Sequence, residues 1–176
     1  MAPTAFRQQL LTTIPRLRRY ARSLVFDASA ADDLVQTALE RALAHWHQFD
    51  QRRDILVWVI SIAHNAHIDE RRRHARVDSV EPQELEDGPD ALHATLSDPG
   101  LRMDLMAALA RLSVDQREPL LLVTLEQLSY AECAEVLRIP IGTVMSRVSR
   151  GRAALRALLD GHAPAPNARG GLRRVV

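Results

Sequence analysis

The chain of 176 residues is long enough for one domain or for two small ones. Hydrophobic residues make up 47% of it and charged residues 26%, and no apolar run approaches the roughly 20 residues that a membrane-spanning helix needs. The N-terminus lacks the apolar core of a secretion signal, so we expect a cytoplasmic protein without membrane insertion. All 23 basic residues are arginine, and the single cysteine excludes an internal disulfide.

Apolar spacing predicts three helices in the first 76 residues. The first covers residues 4–26, with Pro15 expected to break or restart it. The second covers residues 30–47 and places Asp32 and Asp33 in its first turn, where the helix dipole favours negative charge. With Gln36 these acids also form a polar outer face suited to a basic partner.

The third predicted helix runs from 55 to 76 and ends in a cluster of arginines. Asn65 has a poor intrinsic propensity for the middle of a helix, which suggests a role outside local structure. His64 and His67 have a spacing seen in metal sites, but a zinc site needs three or four ligands and no further cluster is evident. We therefore expect neither a metal nor another cofactor.

Residues 77–100 change the composition of the chain completely. They contain seven acidic residues and no arginine, together with three prolines and two glycines. This composition predicts a flexible acidic linker. The sequence thus predicts two small helical domains, residues 1–76 and 101–160, and a flexible tail at 161–176.

Four helical segments are predicted after the linker, and the last two form one motif. Ser113 begins a capping-box pattern before the second segment, and Ser129 with Glu132 forms another before the third. Residues 129–159 then indicate a short helix, a turn and a second helix. Residues 138–156 contain five arginines and no acid, which is typical of a helix-turn-helix that reads the major groove. An ordinary helical hairpin with a solvated basic face is the alternative.

Three blocks of sequence in order resemble the extracytoplasmic-function class of bacterial sigma factors. The first is AADDLVQTALERAL, similar to the segment of region 2 that docks on RNA polymerase. The second, VWVISIAHNAHIDERRR, is similar to the pattern W-x-x-x-I-A-x-N-x-x-x-D-x-x-R. The third, LSYAECAEVLRIPIGTVMSRVSRGRAALR, is similar to the helix-turn-helix of region 4. The resemblance covers residues 8 to 160 and implies an all-α protein with sigma regions 2 and 4.

The resemblance also implies roles for individual residues and partners for the chain. The implied partners are core RNA polymerase, promoter DNA and an anti-sigma factor. Asp32, Asp33 and Gln36 are expected to face the polymerase. The −10 element is expected to meet Phe49, Arg52, Arg53, Asn65, Asp69 and Arg72, and the −35 element Thr143, Ser146, Arg147 and Arg150. Gly151 stands where the family usually has alanine, which either costs about 0.5–1 kcal/mol of helix propensity or permits closer packing.

Other functions are less well supported by the sequence. No glycine-rich phosphate loop, paired carboxylates or nucleophile–base motif occurs in a suitable context, so no enzyme is predicted. A stand-alone helix-turn-helix regulator would not explain the first two blocks or the acidic linker. A sigma-mimicking protein that binds an anti-sigma factor would not need the arginine-rich recognition helix. The leading hypothesis is therefore a sigma factor that recognises −35 and −10 elements.

Overall fold

The computed structural model describes residues 1–77 and 99–161. These residues form seven α-helices and one 3-10 turn and contain no strand, so the predicted all-α class is confirmed. The helices are α1 (Thr4–Val25), α2 (Ala28–Ala44), α3 (Ile55–Val77), α4 (Pro99–Arg111), α5 (Val114–Thr124), α6 (Tyr130–Leu137) and α7 (Ile141–Leu159), and the 3-10 turn covers Trp46–Gln48. The predicted linker, apart from its ends, and the predicted tail after residue 161 lie outside the described residues.

The first three helices form the N-terminal half (residues 1–77), in which each helix packs against the other two. Their apolar stripes meet in a core of fully or nearly fully buried side chains: Leu17, Tyr20, Leu24, Val35, Ala38, Val59 and Ile60. The burial of these stripes, more than helix propensity, stabilises the three helices.

Helix α1 is continuous through Pro15, and the predicted break is wrong. Proline lacks the N–H that would bond to the carbonyl four residues earlier, which belongs to Leu11. Both residues lie on the exposed side of the helix, where water can satisfy the free carbonyl. Leu10, Thr13 and Leu17 on the opposite side are buried and hold the helix against the core.

Helix α2 begins two residues earlier than predicted. The carboxylate of Asp27 accepts a hydrogen bond of 2.6 Å from the backbone N–H of Ala30 and thereby caps the helix. Asp32 and Asp33 consequently lie beyond the first turn, and the dipole explanation for them is wrong. Both side chains are exposed, and Asp32 is paired with Arg18 of α1.

The C-terminal half (residues 99–161) is arranged around α7, which packs against α4, α5 and α6. The capping box at Ser129 and Glu132 is present as predicted. The one predicted at Ser113 is wrong, because its side chain makes no capping hydrogen bond. Gln116 is the residue that would complete the capping box with Ser113. Its backbone and Cβ pack against α7 beside Gly151.

The two halves pack directly against each other. Helix α5 lies against α1, and α6 lies against α3. The buried apolar residues of both halves form one continuous cluster. The sequence predicted two separate domains, and this contact between them was not expected.

Candidate nucleic-acid interface

The outer side of α7 carries the residues predicted to read DNA. Val144, Val148 and Gly151 turn toward the core, while Ser146 and Arg150 are exposed on the opposite side and Thr143 is partly exposed. The hydroxyl of Ser146 donates to the carbonyl oxygen of Thr143 at 3.0 Å, and Nε of Arg150 donates to that of Ser146 at 3.3 Å. The structure therefore brings three of the four predicted residues together on one face.

The fourth predicted residue, Arg147, lies on the flank of this face. Its guanidinium group is 3.4 Å from the carboxylate of Asp115 on α5. Asp115 is largely exposed, so the pair is weak and can exchange for a phosphate contact.

The turn that presents α7 is well defined. At the start of α6, the backbone N–H of Glu132 donates to the hydroxyl of Ser129 at 3.2 Å. The backbone N–H of Ser129 in turn donates to the carboxylate of Glu132 at 2.8 Å. At its end Arg138 adopts a left-handed conformation with φ of 54°, and the backbone N–H of Ile139 donates to Ala134. Pro140 then precedes α7 without needing an N–H donor. These features set the angle between the two helices of the motif.

A second set of predicted residues lies along α3. Asn65, Asp69 and Arg72 recur at spacings of four and three, so they share one side of the helix. Asn65 donates a hydrogen bond of 2.8 Å to the carbonyl oxygen of Ser61, and Asp69 pairs with Arg41 of α2 at 3.3 Å. The stripe continues through Ser61 toward the loop that precedes the helix. Its polar groups are suited to hydrogen bonding with base edges.

Residues 49–54 connect the 3-10 turn to α3. Asp54 accepts a hydrogen bond of 2.7 Å from the backbone N–H of Leu56, which caps α3 and anchors the loop. Arg52 and Arg53 are exposed at the tip. The loop and the start of the stripe on α3 together line a cleft of about 460 Å³. The lining of this cleft includes both arginines and extends to Ser61 on α3, one turn before Asn65.

Phe49 differs from the other predicted residues of this surface. Its ring is only partly exposed and lies 5.8 Å from Phe6 of α1 and 5.2 Å from Trp58 of α3. Phe6 and Trp58 are themselves 6.0 Å apart with nearly perpendicular rings. Such an arrangement is favourable for aromatic pairs. The three rings hold the loop against α1 and α3, a role that the sequence did not indicate.

The third predicted surface is the outer side of α2. Asp32, Asp33 and Gln36 are all exposed there. Asp32 pairs with Arg18 of α1 at 3.1 Å, and Gln36 donates to Glu40 at 2.9 Å. Asp33 borders a groove of about 260 Å³ between α2 and α3. This surface carries three exposed carboxylates, those of Asp32, Asp33 and Glu40.

A fourth group of residues, which no sequence pattern indicated, joins the two halves. Glu126, between α5 and α6, accepts hydrogen bonds from Arg16 and Arg19 of α1 at 3.1 and 3.0 Å. Glu118 of α5 lies 2.6 Å from the hydroxyl of Tyr20 and 2.6 Å from Nδ1 of His64. The paired residues are about 50 to 110 positions apart in the chain, so no local pattern could have indicated them.

Burial and charge determine how two of the buried groups behave. Burial, with the nearby negative charge of Glu118, raises the pKa of Tyr20 well above its ordinary value. Tyr20 therefore stays protonated and donates to that carboxylate. Burial also raises the pKa of the Cys133 thiol to about 12, which keeps this thiol protonated and unreactive near neutral pH.

His64 and His67 lie in different surroundings, although they are only three residues apart. His64 contacts Glu118, and Nε2 of His67 is buried. Burial lowers the pKa of His67, so its ring is neutral at physiological pH. Within the described ranges no group of three or more His, Cys, Asp or Glu side chains is placed to hold a metal ion. No helix in those ranges has the length and hydropathy of a membrane span.

Comparison with known proteins agrees with this division into two halves. A family profile described as sigma-70, region 4 matches residues 102–155, and a profile described as the sigma2 domain of PhyR matches residues 10–64. The chain is 37% identical to the ECF RNA polymerase sigma factor EcfG of Rhodopseudomonas palustris, over 88% of this chain and 85% of the relative. This chain belongs to the ECF RNA polymerase sigma factors.

Further relatives support the assignment. The ECF sigma factor SigC of Mycobacterium tuberculosis is 38% identical over 74% of this chain and 71% of its own. The sigma factor RpoE of Bartonella quintana, solved in complex with the anti-sigma factor NepR, superposes with a TM-score of 0.78. It is 33% identical, and the match covers 90% of this chain and 98% of that one. As a sigma factor, the chain directs transcription initiation.

Proposed function

We propose that this sigma factor uses its three polar surfaces for three different partners in initiation. The outer side of α2 docks on core RNA polymerase, the loop at residues 49–54 with α3 captures the −10 element, and α7 reads the −35 element. The observation that supports the proposal is that each half carries a surface with exposed arginines and hydrogen-bonding side chains, while the outer side of α2 carries exposed carboxylates. The protein acts in the cytoplasm and carries out no catalysis of its own.

Docking on the polymerase depends on Asp33 and Gln36. Asp33 is exposed beside the groove between α2 and α3, and its carboxylate can pair with a basic side chain of the polymerase. Gln36 lies one turn further along the same side and can add a neutral hydrogen bond. Asp32 is already paired with Arg18 and contributes mainly to the charge of the surface.

Capture of the −10 element requires single-stranded bases. Unpaired bases offer edges for hydrogen bonds that a duplex hides. Asn65 and Asp69 on α3 can contact such edges, while Arg52 and Arg72 can hold the phosphates. Aromatic residues form only 4% of the chain, so stacking contributes little and the polymerase must supply much of the melting.

Reading of the −35 element uses the major groove. The exposed hydroxyl of Ser146 and the guanidinium groups of Arg147 and Arg150 can contact base edges and phosphates. Each base-specific contact by an arginine contributes about 1–3 kcal/mol of discrimination. The phosphate contacts make the affinity depend on salt.

The protein named RpoE from Bartonella quintana binds the anti-sigma factor NepR, and the sigma factor CnrH binds the cytosolic domain of CnrY. The similarity of this chain to both, at 33% and 27% identity, supports an anti-sigma factor as a further partner.

The test is initiation from a selected promoter with purified core polymerase. The double substitution Asp33→Ala and Gln36→Ala should weaken core binding at least tenfold, since about 1.4 kcal/mol corresponds to a tenfold change. A matched substitution, Asp104→Ala, removes an exposed acid from α4 in the other half and should change core binding little. Normal core binding by the double variant would exclude the α2 surface as the docking site.

Arg150→Ala should reduce initiation that depends on the −35 element and leave core binding unchanged. Arg156→Ala, at the other end of α7, removes the same charge from an exposed position and is the control. If both substitutions reduced −35-dependent initiation equally, only the positive charge of α7 would matter. That result would contradict the proposal that its outer face reads the −35 element.

A sigma mimic is the second candidate, because the profile that matches residues 10–64 is the sigma2 domain of PhyR. Such a protein would bind an anti-sigma factor and fail to support initiation. The same transcription assay separates the two candidates. Initiation from any promoter by the wild-type chain excludes the mimic.

A further inference from the structure

Two large apolar side chains are exposed on the first two turns of α7. Ile141 is 49% exposed and Met145 is 52% exposed. They are four residues apart, so they lie one above the other on the same side of the helix. In the described ranges they are the only exposed large apolar side chains that are three or four residues apart on one helix. The others, such as Leu11 and Met103, are isolated, which is normal for a protein surface.

The residues around this apolar pair carry no charge. The positions three and four residues from Met145 are Ile141, Gly142, Val148 and Ser149. Val148 is buried, whereas Gly142 and Ser149 are small and exposed. Because its neighbours on this side are so short, the Met145 side chain meets any surface that approaches the start of α7.

The apolar pair is continuous with the surface proposed to read the −35 element. Ser146 and Arg150 of that surface follow Met145 on the exposed side of α7. In a helix-turn-helix the N-terminal residues of the second helix contact base edges, and Ile141 is the first residue of α7. The helix contains four arginines and no acidic residue, so the surroundings of the pair attract a polyanion. Duplex DNA is therefore the occupant that the charge favours.

Thymine is the base whose major-groove edge suits an apolar side chain. Its 5-methyl group is apolar, and the O4 atom beside it accepts a hydrogen bond. Contact of the methyl group with Ile141 or Met145 removes apolar surface of both partners from water. Cytosine presents an amino group on the same edge, and burial of that donor against a thioether without a partner is unfavourable. The hydroxyl of Ser149, one turn beyond Met145, can donate to a thymine O4.

We propose that Ile141 and Met145 determine specificity within the −35 element by contacting the 5-methyl groups of thymines. The proposal rests on the function proposed above, and it adds an uncharged contact to the hydroxyl and guanidinium contacts of α7. An apolar contact releases no counterions, so its contribution to affinity does not depend on salt, whereas arginine–phosphate contacts do. This difference separates the two kinds of contact in an experiment.

Deoxyuridine tests the proposal, because dU differs from dT only by the missing 5-methyl group. Holoenzyme is assembled from the full chain and core polymerase, and a promoter that it prefers is selected. Each thymine of the −35 element, on either strand, is then replaced in turn by dU. At the contacted positions the wild-type holoenzyme should bind about two- to fourfold more weakly, the effect of one methyl group that is no longer withdrawn from water. The ratio should be the same at low and at high salt.

Met145→Gln is the variant that assigns the contact, since glutamine has a similar length and helix propensity but a polar end. Its dT-to-dU ratio at the sensitive position should fall close to one. Ile141→Thr keeps the branched Cβ atom and should act in the same way on the methyl group that Ile141 contacts. Both side chains are exposed, so their replacement spares the core. Met103→Gln makes the same change at an exposed position of α4 and should keep the wild-type ratio.

A preferred −35 element without A·T pairs, or one in which no dU weakens binding, would overturn the proposal. So would a dT-to-dU ratio that Met145→Gln and Ile141→Thr leave unchanged, or one that Met103→Gln removes as well. If Met145→Gln weakened binding to core polymerase and left the ratio unchanged, a protein would cover the apolar pair, and the proposal would be wrong. A holoenzyme without any −35 preference would contradict the proposed function itself. A −35 preference without a methyl effect would contradict only this contact.

Discussion

Gly151 shows how a single missing methyl group sets the spacing between two helices. A Cβ atom at this position would lie 3.0 Å from the backbone carbonyl oxygen of Gln116 on α5. A backbone oxygen cannot rotate away as a flexible side chain can. Of the two explanations offered by the sequence for this glycine, closer packing of α7 on α5 fits the structure.

Gly151→Ala should therefore lower the free energy of unfolding. Overpacking typically costs about 1–3 kcal/mol, whereas the gain in helix propensity is only about 0.5–1 kcal/mol. Urea unfolding followed by circular dichroism measures the difference. Gly142→Ala is the control, because nothing lies within 4 Å of its Cβ position, and it should be neutral or stabilising. If Gly151→Ala raised the free energy of unfolding, α5 would have to move away from α7 at little cost.

At the scale of an element, the start of α6 depends on one carboxylate. Hydrogen bonds from the Ser129 side chain and backbone lower the pKa of Glu132 below the ordinary value for a glutamate. The charged form is thus favoured in the folded state. Its contribution to stability is present above the unfolded pKa and is lost as the pH falls through the folded pKa.

Glu132→Gln tests this contribution, since glutamine can still form a capping box but cannot ionise. Wild type should be more stable than the variant at pH 7, and the difference should shrink as the pH falls below the ordinary pKa of a glutamate and disappear below the lowered folded pKa. Ser129→Ala removes the cap itself and should cost about 1 kcal/mol at pH 7. A difference between wild type and Glu132→Gln that is independent of pH would contradict the role of the charge.

These elements also show how far the sequence alone could lead. Periodic apolar residues and local caps predicted all three helices of the N-terminal half and the helix-turn-helix, because those signals are contained within one or two turns. The failures at Pro15 and Ser113 have a different cause. In each case tertiary packing, of α1 on its core and of Gln116 on α7, determined the outcome.

For the candidate site, too, the sequence alone could not predict contacts between distant parts of the chain. The resemblance placed residues on surfaces, and the structure groups Thr143, Ser146 and Arg150 as expected. The resemblance could not reveal that Arg53 is paired with Glu135 or that the ring of Phe49 packs against that of Phe6. Those contacts join distant parts of the chain, and a single sequence has no local signal for them.

At the scale of the whole molecule, the contact between halves should make their unfolding a single event. Both tryptophans, Trp46 and Trp58, lie in the N-terminal half, so fluorescence reports that half. Far-UV circular dichroism reports the helices of both halves. Coincident urea transitions by the two methods are expected for the wild type, because neither half unfolds without losing the shared interface.

Arg16→Ala combined with Arg19→Ala should separate these transitions. An unpaired buried carboxylate costs about 3–5 kcal/mol, but here Glu126 can regain water as soon as the halves part. The loss in stability is therefore limited to the free energy with which the two halves hold each other. Each half then unfolds at its own urea concentration. Arg18→Ala, which breaks an exposed pair on the same helix, should change stability by less than about 1 kcal/mol and leave the transitions coincident. Transitions that remain coincident after loss of both arginines would place the coupling in the apolar cluster, since Glu126 would then contribute nothing that holds the halves together.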